Sequence, residues 1–222
     1  MTSPSPKIRL VLLDADGVVQ EPSCEWLQTV ESVCGDPART NEFLAEFYAT
    51  EARFMAGGEG VGYALQELLG AWSSRCSVEE AMQLWRCIAK NQEILSIVSS
   101  IRAHGTWVAL AFNQQPERAR YMSKDLEYDV LFDKCFYSCE LGYAKPDPEY
   151  FLSILKISDV LEAEVLFIDD RKANVDAAKS LGIYAEHFDI SEGANVFVSI
   201  LERYGVCHAQ QTPAGDAQNA RA

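Results

Sequence analysis

Short, strongly apolar runs alternate along this chain with segments of helical periodicity, and that alternation leaves few folds open. Ile8–Leu13, Trp107–Phe112 and "EVLFI" (164–168) are nearly unbroken hydrophobic stretches of strand length, and "KCFYS" and "IYAEHF" read as two weaker ones. Between and after them lie "EILSIVSSIRAHG", "PERARYMSKDL", "DPEYFLSILKI", "KANVDAAKSLG" and "GANVFVSILERYG", which read as helices stopped by glycine or opened by proline. Strands that alternate with helices predict a parallel sheet covered by helices on both faces. A sheet buried on both sides needs continuous rather than alternating apolar strands, as seen here.

One block breaks the rhythm. "EWLQTVESVCG", "NEFLAEFYATEARFMAGG", "GYALQELLGAW" and "SVEEAMQLWRCIAK" are helical in pattern with no strand signal. The last opens on a Ser-x-x-Glu capping box. The expected architecture is therefore an α/β, three-layer, Rossmann-like parallel-sheet core (residues 1–19 and 90–207) with an all-helical cap domain (20–89) inserted directly after the first strand. Residues 208–222 are polar and aperiodic and read as a disordered tail.

Composition narrows the setting. The 222 residues carry a formal net charge of −14. An acidic chain lacks the basic field that would attract nucleic acid or an anionic membrane surface, although local cations can still hold a small anion. No stretch approaches the roughly 18 apolar residues of a membrane span. "MTSPSPKIRL" lacks the apolar centre of a secretory signal. The seven scattered cysteines read as free thiols in a reducing cytoplasm, and Cys135 and Cys139 have no second pair at zinc-ligand spacing.

Ligands of open parallel sheets bind outside the carboxyl ends of the strands. At those ends this chain places Asp14 and Asp16, then Asn113, then Lys145 in "GYAKPDP", then Asp169 and Asp170. A single Asp after a strand is commonly a turn or cap residue. Two carboxylate pairs after two buried strands repel each other unless a cation neutralises them. Mg²⁺, a hard ion that takes oxygen ligands and is often shared with a substrate phosphate, suits such a cage.

"DADGVV", the helical insert, "ALAFNQQ", "LGYAKPDPEYF" and "VLFIDDRKANVDAAKSLG" together resemble the haloacid dehalogenase-like hydrolase superfamily, over nearly all of residues 7–206. The insert resembles the helical cap of the subgroup rich in small-molecule phosphatases. This resemblance implies Asp14 as the nucleophile that forms an aspartyl-phosphate and Asp16 as the general acid/base. It implies that Lys145 neutralises the nucleophile and the phosphoryl oxygens. Mg²⁺ would be held by Asp170, assisted by Asp169, with Asp14 and the backbone carbonyl of Asp16; Asn174 would support that shell. A proton donor two residues from the nucleophile favours an alcohol leaving group over halide. The implied protein is a phosphoric monoester hydrolase acting on a small phosphorylated metabolite, as a monomer or homodimer.

The second motif departs from the family pattern. A Ser or Thr there normally donates a hydrogen bond to a phosphoryl oxygen, and this chain has Phe112 before Asn113. One lost donor typically costs on the order of 10²–10³ in rate. Phe112 and Asn113 are the expected substrate-binding residues with Lys145; the backbone and amide of Asn113 are the candidates to compensate. A phosphosugar mutase and a non-catalytic phosphate-binding relative are the alternative readings. The aromatics of the insert, Trp26, Trp72 and Trp85 among them, read as bundle core, and Arg53 as a solvated side chain or a contact to an anionic substrate end.

Overall fold

The computed structural model describes residues 7–206. The expected tail at 208–222 lies outside the described residues. In chain order the elements are β1 (Leu10–Leu13), β2 (Gln20–Pro22), α1 (Trp26–Cys34), α2 (Thr40–Ala52), α3 (Val61–Ala71), α4 (Val78–Arg86), β3 (Ile88–Lys90), α5 (Gln92–Ala103), β4 (Trp107–Phe112), α6 (Pro116–Lys124), α7 (Tyr128–Leu131), β5 (Lys134–Tyr137), α8 (Ser138–Leu141), α9 (Pro148–Ser158), β6 (Val165–Asp169), α10 (Lys172–Ser180), β7 (Tyr184–His187) and α11 (Ala194–Arg203). Five strands form one sheet in the order β5-β4-β1-β6-β7, every neighbouring pair parallel.

The apolar runs are continuous because each strand feeds two cores. Val11 and Leu13 of β1, Val108 and Leu110 of β4, and Leu166 and Ile168 of β6 pack with α5, α6 and α11. Leu10 and Leu12, Ala109 and Ala111, and Val165 and Phe167 face the other way, onto α9 and α10. Successive strand side chains point to opposite faces, so this is the three-layer arrangement in residue-level form. In register, Leu13 lies between Leu110 and Ile168. The residues just past β1, β4 and β6 are thereby side by side at the carboxyl edge.

Helices α1–α4 share a third apolar core, built from Val30 and Val33, Phe43 and Phe47, Leu65 and Leu69, and Leu84 and Trp85. The capping box that opens α4 is present: Ser77 accepts from the Glu80 amide and the Glu80 carboxylate accepts from the Ser77 amide.

Two details of this segment differ from the sequence reading. The helices are joined to the core through an antiparallel ribbon in which Gln20, Glu21 and Pro22 pair with Lys90, Ala89 and Ile88. Three-residue strands containing Glu, Pro and Lys carry no strand periodicity; the pairing comes from tertiary placement. The second difference is that α2 ends at Ala52, short of Gly57-Gly58. Arg53, Phe54 and Met55 donate to carbonyls only three residues back, a tightened turn that closes the helix. Gly57 then passes directly over the core: a Cβ there would sit 2.9 Å from the Cys139 carbonyl oxygen, and its φ is +96°. Among the described residues no helix is long and apolar enough to cross a membrane.

Candidate active site

The carboxyl edge of β4, β1 and β6 gathers the side chains the sequence singled out. Lys145 is their hub. Its Nζ donates to Asp14 Oδ1, Asp169 Oδ2 and the Ala111 carbonyl, each at 2.6 Å. All three ammonium protons are thus used, and the side chain is almost fully buried. Burial works against the lysine's charge, but Asp14 and Asp169 outweigh it and hold Lys145 protonated, above its ordinary value.

The carboxylates are less well compensated. Burial pushes Asp14 above the usual carboxylate range against the pull of Lys145, and Asp169 adds to the rise. Burial and then Asp169 raise Asp170 in the same way. Asp169 is pinned from several sides: Asn174 Nδ2 lies 3.0 Å from both its oxygens and the Arg171 amide donates to Oδ1 at 2.8 Å. Asp170, by contrast, has a buried Oδ1 with no partner. Asp14, Asp169 and Asp170 each offer a carboxylate oxygen, all within 4.8 Å of one another. Three carboxylates against one ammonium, with an orphaned acceptor among them, form an all-oxygen site that fits a hard divalent cation such as Mg²⁺. Gly17 makes room for it. Its φ is +77°, and a Cβ at this position would lie 2.7 Å from Asp170 Oδ2.

Asp16 stands apart from that triad. Arg118 grips it with Nη1 on Oδ2 at 2.8 Å and Nη2 on Oδ1 at 2.9 Å. Gln20 Nε2 adds a bond to Oδ1 at 2.6 Å, and Tyr128 in turn donates to Gln20 Oε1 at 2.6 Å. Burial alone would raise Asp16, but the Arg118 charge and its hydrogen bonds, with help from Gln20, bring it below the ordinary value. The Arg118 Nε donates to the Trp85 carbonyl on α4, at 2.9 Å, so one guanidinium ties the sheet edge to the helical segment.

The motif-two pair behaves differently from its sequence expectation. Asn113 spends its amide on the lysine loop: Nδ2 donates to the Lys145 carbonyl at 2.7 Å, and Oδ1 accepts from the Lys145 amide at 2.8 Å. Its side chain thereby fixes the backbone that carries Lys145. Phe112 is buried in the β4 core cluster, with its ring centroid 5.6 Å from Arg118 Cζ. The ring that replaces the usual hydroxyl thus supports the arginine that holds Asp16. Arg53 is exposed and lies over Phe54 rather than in the site.

Arg118, Gln20 and Glu51 were not singled out in the sequence. Arg118 reads there as an ordinary charged residue in the first turns of α6. Glu51 did leave a trace: Phe43, Phe47 and Glu51 recur at four-residue spacing, so a carboxylate stands on the apolar stripe of α2.

A family model described as haloacid dehalogenase-like hydrolase matches residues 8–182. A sesquiterpene phosphatase of Aspergillus oryzae is 31% identical over 102 residues, which are 46% of this chain and 52% of that protein. A phosphorylated carbohydrates phosphatase of Thermotoga maritima is 24% identical over 54% of this chain and 55% of its own length. A D-ribitol-5-phosphate phosphatase of Bacteroides thetaiotaomicron is 41% identical over 63 residues, 30% of its length. The chain therefore spans about half or less of these relatives. Among solved structures, a HAD-like hydrolase from Porphyromonas gingivalis superposes with a TM-score of 0.72 at 23% identity, over 88% of this chain and 98% of that one. A HAD-family enzyme from B. thetaiotaomicron, solved with magnesium and inorganic phosphate, superposes with a TM-score of 0.66 at 18% identity, over 81% and 93%. With the family model matching most of its length and the same fold in both structures, this chain belongs to the haloacid dehalogenase-like hydrolases.

Proposed function

We propose that the protein is a Mg²⁺-dependent phosphatase that hydrolyses a small phosphate monoester through an aspartyl-phosphate on Asp14. The observation that carries this reading is the buried Asp14–Lys145–Asp169 cluster beside the orphaned Asp170 oxygen, with a second carboxylate, Asp16, two residues from Asp14. The partial likeness to three phosphatases supports the reaction class.

Asp14 Oδ1 is engaged by Lys145, which leaves Oδ2 to attack phosphorus. The ester P–O bond breaks as the Asp14–phosphorus bond forms, and the leaving alkoxide takes a proton from Asp16. In the second step Asp16 accepts a proton from water while that water's oxygen attacks phosphorus, which releases inorganic phosphate and restores Asp14. Lys145 balances charge on the Asp14 carboxylate and the phosphoryl oxygens, and Asn113 keeps Lys145 in register. Mg²⁺, when held by Asp14, Asp170 and Asp169, supplies the remaining neutralisation of phosphoryl charge. Arg118 keeps Asp16 ionised, the state the second step needs; the first step needs Asp16 to exchange Arg118 for a proton and the leaving oxygen.

Helices α1–α4, residues 20–89, serve as a cap over the strand ends of a core formed by 1–19 and 90–207. The Arg118–Trp85 bond and the close approach of Gly57 to Cys139 support that placement. Release of inorganic phosphate from a panel of phosphate monoesters tests the reading. Turnover should require Mg²⁺, stop with EDTA and be lost in Asp14→Asn. Activity that survives EDTA, or survives Asp14→Asn, overturns it. Isomerisation of sugar phosphates without phosphate release would indicate a mutase instead.

A further inference from the structure

Arg118 is a buried cation with one anion to balance it. Its side chain is 14% exposed, and among the described residues the carboxylate it pairs with is Asp16. The chemistry proposed above takes that partner away, because Asp16 must turn to the leaving oxygen in the first step. A guanidinium left in place with no anion is an uncompensated buried charge, which is strongly unfavourable.

Glu51 ends the apolar stripe of α2, one turn after Phe47, and is 6% exposed. Its Oε1 is buried with no hydrogen-bond partner. The helix that carries it reaches Arg118 by way of Trp85: the Phe47 and Trp85 rings lie 5.2 Å apart, and the Trp85 carbonyl takes the Arg118 Nε at 2.9 Å. The two charges act on each other across this seam. Burial disfavours the charged form of both; against it, Arg118 favours ionised Glu51, while Asp16 and then Glu51 favour charged Arg118. Tyr48, on the same stretch of α2, responds after burial to Glu51, Arg118 and Asp16. One guanidinium thus has two carboxylates in its field, Asp16 paired with it and Glu51 with an acceptor unfilled.

We propose that Glu51 is the alternative seat of Arg118: when Asp16 turns to the leaving oxygen, the guanidinium passes from Asp16 to the Glu51 carboxylate. This rests on the phosphatase reading above. Glu51 is then a positioning residue, which touches no substrate and acts by releasing Asp16. The exchange fills the acceptor that is orphaned in the resting arrangement, and it never leaves the buried guanidinium unpaired.

The test reads how far catalysis depends on protonation of the leaving group. It compares kcat/KM for 4-nitrophenyl phosphate, whose leaving oxygen is weakly basic, with that for phenyl phosphate, whose leaving oxygen is more basic. Glu51→Gln fills the same space with a neutral amide that cannot balance Arg118. It should raise the 4-nitrophenyl to phenyl ratio at least about tenfold over wild type, since a positioned acid is worth about 10²–10⁴ in rate where a proton is needed. Glu51→Asp, which keeps a carboxylate, should restore part of the wild-type ratio. Glu51→Gln should melt no lower than wild type at pH 8, which separates the effect from unfolding. The crystal structure of Asp16→Asn gives a direct readout: with a neutral side chain at position 16, the guanidinium should sit on the Glu51 carboxylate. A guanidinium still on residue 16 there, or a ratio unchanged by Glu51→Gln, overturns the exchange and leaves the phosphatase reading intact. Absence of phosphate release by the wild-type protein from these esters and the wider panel sinks the phosphatase reading and the exchange with it.

Discussion

Arg118 holds Asp16 through two nitrogens at 2.8 and 2.9 Å while its Nε holds the Trp85 carbonyl at 2.9 Å. One side chain therefore sets the charge state of the proposed acid/base and ties α4 to the sheet edge. Replacing Arg118 with Met should raise the pKa of Asp16, because its main counter-charge is gone. It should also cost about 1–3 kcal/mol of stability through the lost charged hydrogen bonds. A pH–rate profile whose acidic limb moves upward, with lowered turnover, checks this; an unmoved limb contradicts it. Lys is a poor substitute because it lacks the planar fork that meets both oxygens.

Lys145 is the shared counter-charge of two buried carboxylates. Lys145→Met should abolish activity and destabilise the fold by about 3–5 kcal/mol, since it leaves uncompensated buried charge. Saturating Mg²⁺ should then raise the melting temperature of the variant more than that of the wild type, because the cation takes over part of the neutralisation. Equal Mg²⁺ shifts in the two proteins would count against a shared cage.

Gly17 is the neighbour Asp170 requires. Gly17→Ala places a Cβ 2.7 Å from Asp170 Oδ2 on a backbone with φ of +77°. The expected result is a Mg²⁺ concentration for half-maximal activity raised about tenfold or more, with a stability loss of about 1–2 kcal/mol from the strained conformation. Titration of activity with Mg²⁺ reads the first effect and thermal unfolding the second.

Glu51 gives a pH signature of its own. Burial pushes it from 4.5 up to about 7, with Arg118 pulling down and Asp16 pushing further up. The folded state holds this proton more tightly than the unfolded chain, so its contribution to stability falls as pH rises from 4.5 to about 7. The full effect is on the order of 3 kcal/mol. Below 4.5 both states are protonated and the penalty vanishes. Glu51→Gln should flatten stability across that window and be more stable than the wild type at pH 8. Parallel curves for the two proteins would show that Glu51 carries no such charge penalty.

The sheet was legible because a doubly buried strand cannot hide its composition. Val11 and Leu13 serve one core and Leu10 and Leu12 the other, so the whole run must be apolar. Asp14, Asp169 and Asp170 stand out in the sequence because charged residues end or follow such runs, whereas Lys145 stands out only through the "KPDP" segment beyond α8. What the sequence did not reveal depends on tertiary placement. The β2–β3 ribbon is three residues long on each side. Gln20 is a fully buried polar residue whose partners, Asp16 and Tyr128, are fixed only when α7 closes against the core. Arg118 looks like any surface helix residue until α6 is docked at the end of β4. The pairing of the Asn113 amide with the Lys145 backbone depends in the same way on the loop after α8 returning to the end of β4. Phe112 is the ring beneath Arg118 and part of the β4 core, an arrangement visible only with both elements in place.

The most direct test of covalent catalysis is to trap the phosphoenzyme. Wild-type protein with Mg²⁺ and a turned-over phosphate ester is quenched in acid, reduced with borohydride, digested and analysed by mass spectrometry. Reduction of an aspartyl-phosphate converts that residue to homoserine. The predicted result is homoserine at position 14, dependent on substrate and Mg²⁺ and absent from position 16. Phosphate release with Asp14 unmodified at every quench time, together with wild-type turnover by Asp14→Asn, would contradict the role assigned to Asp14.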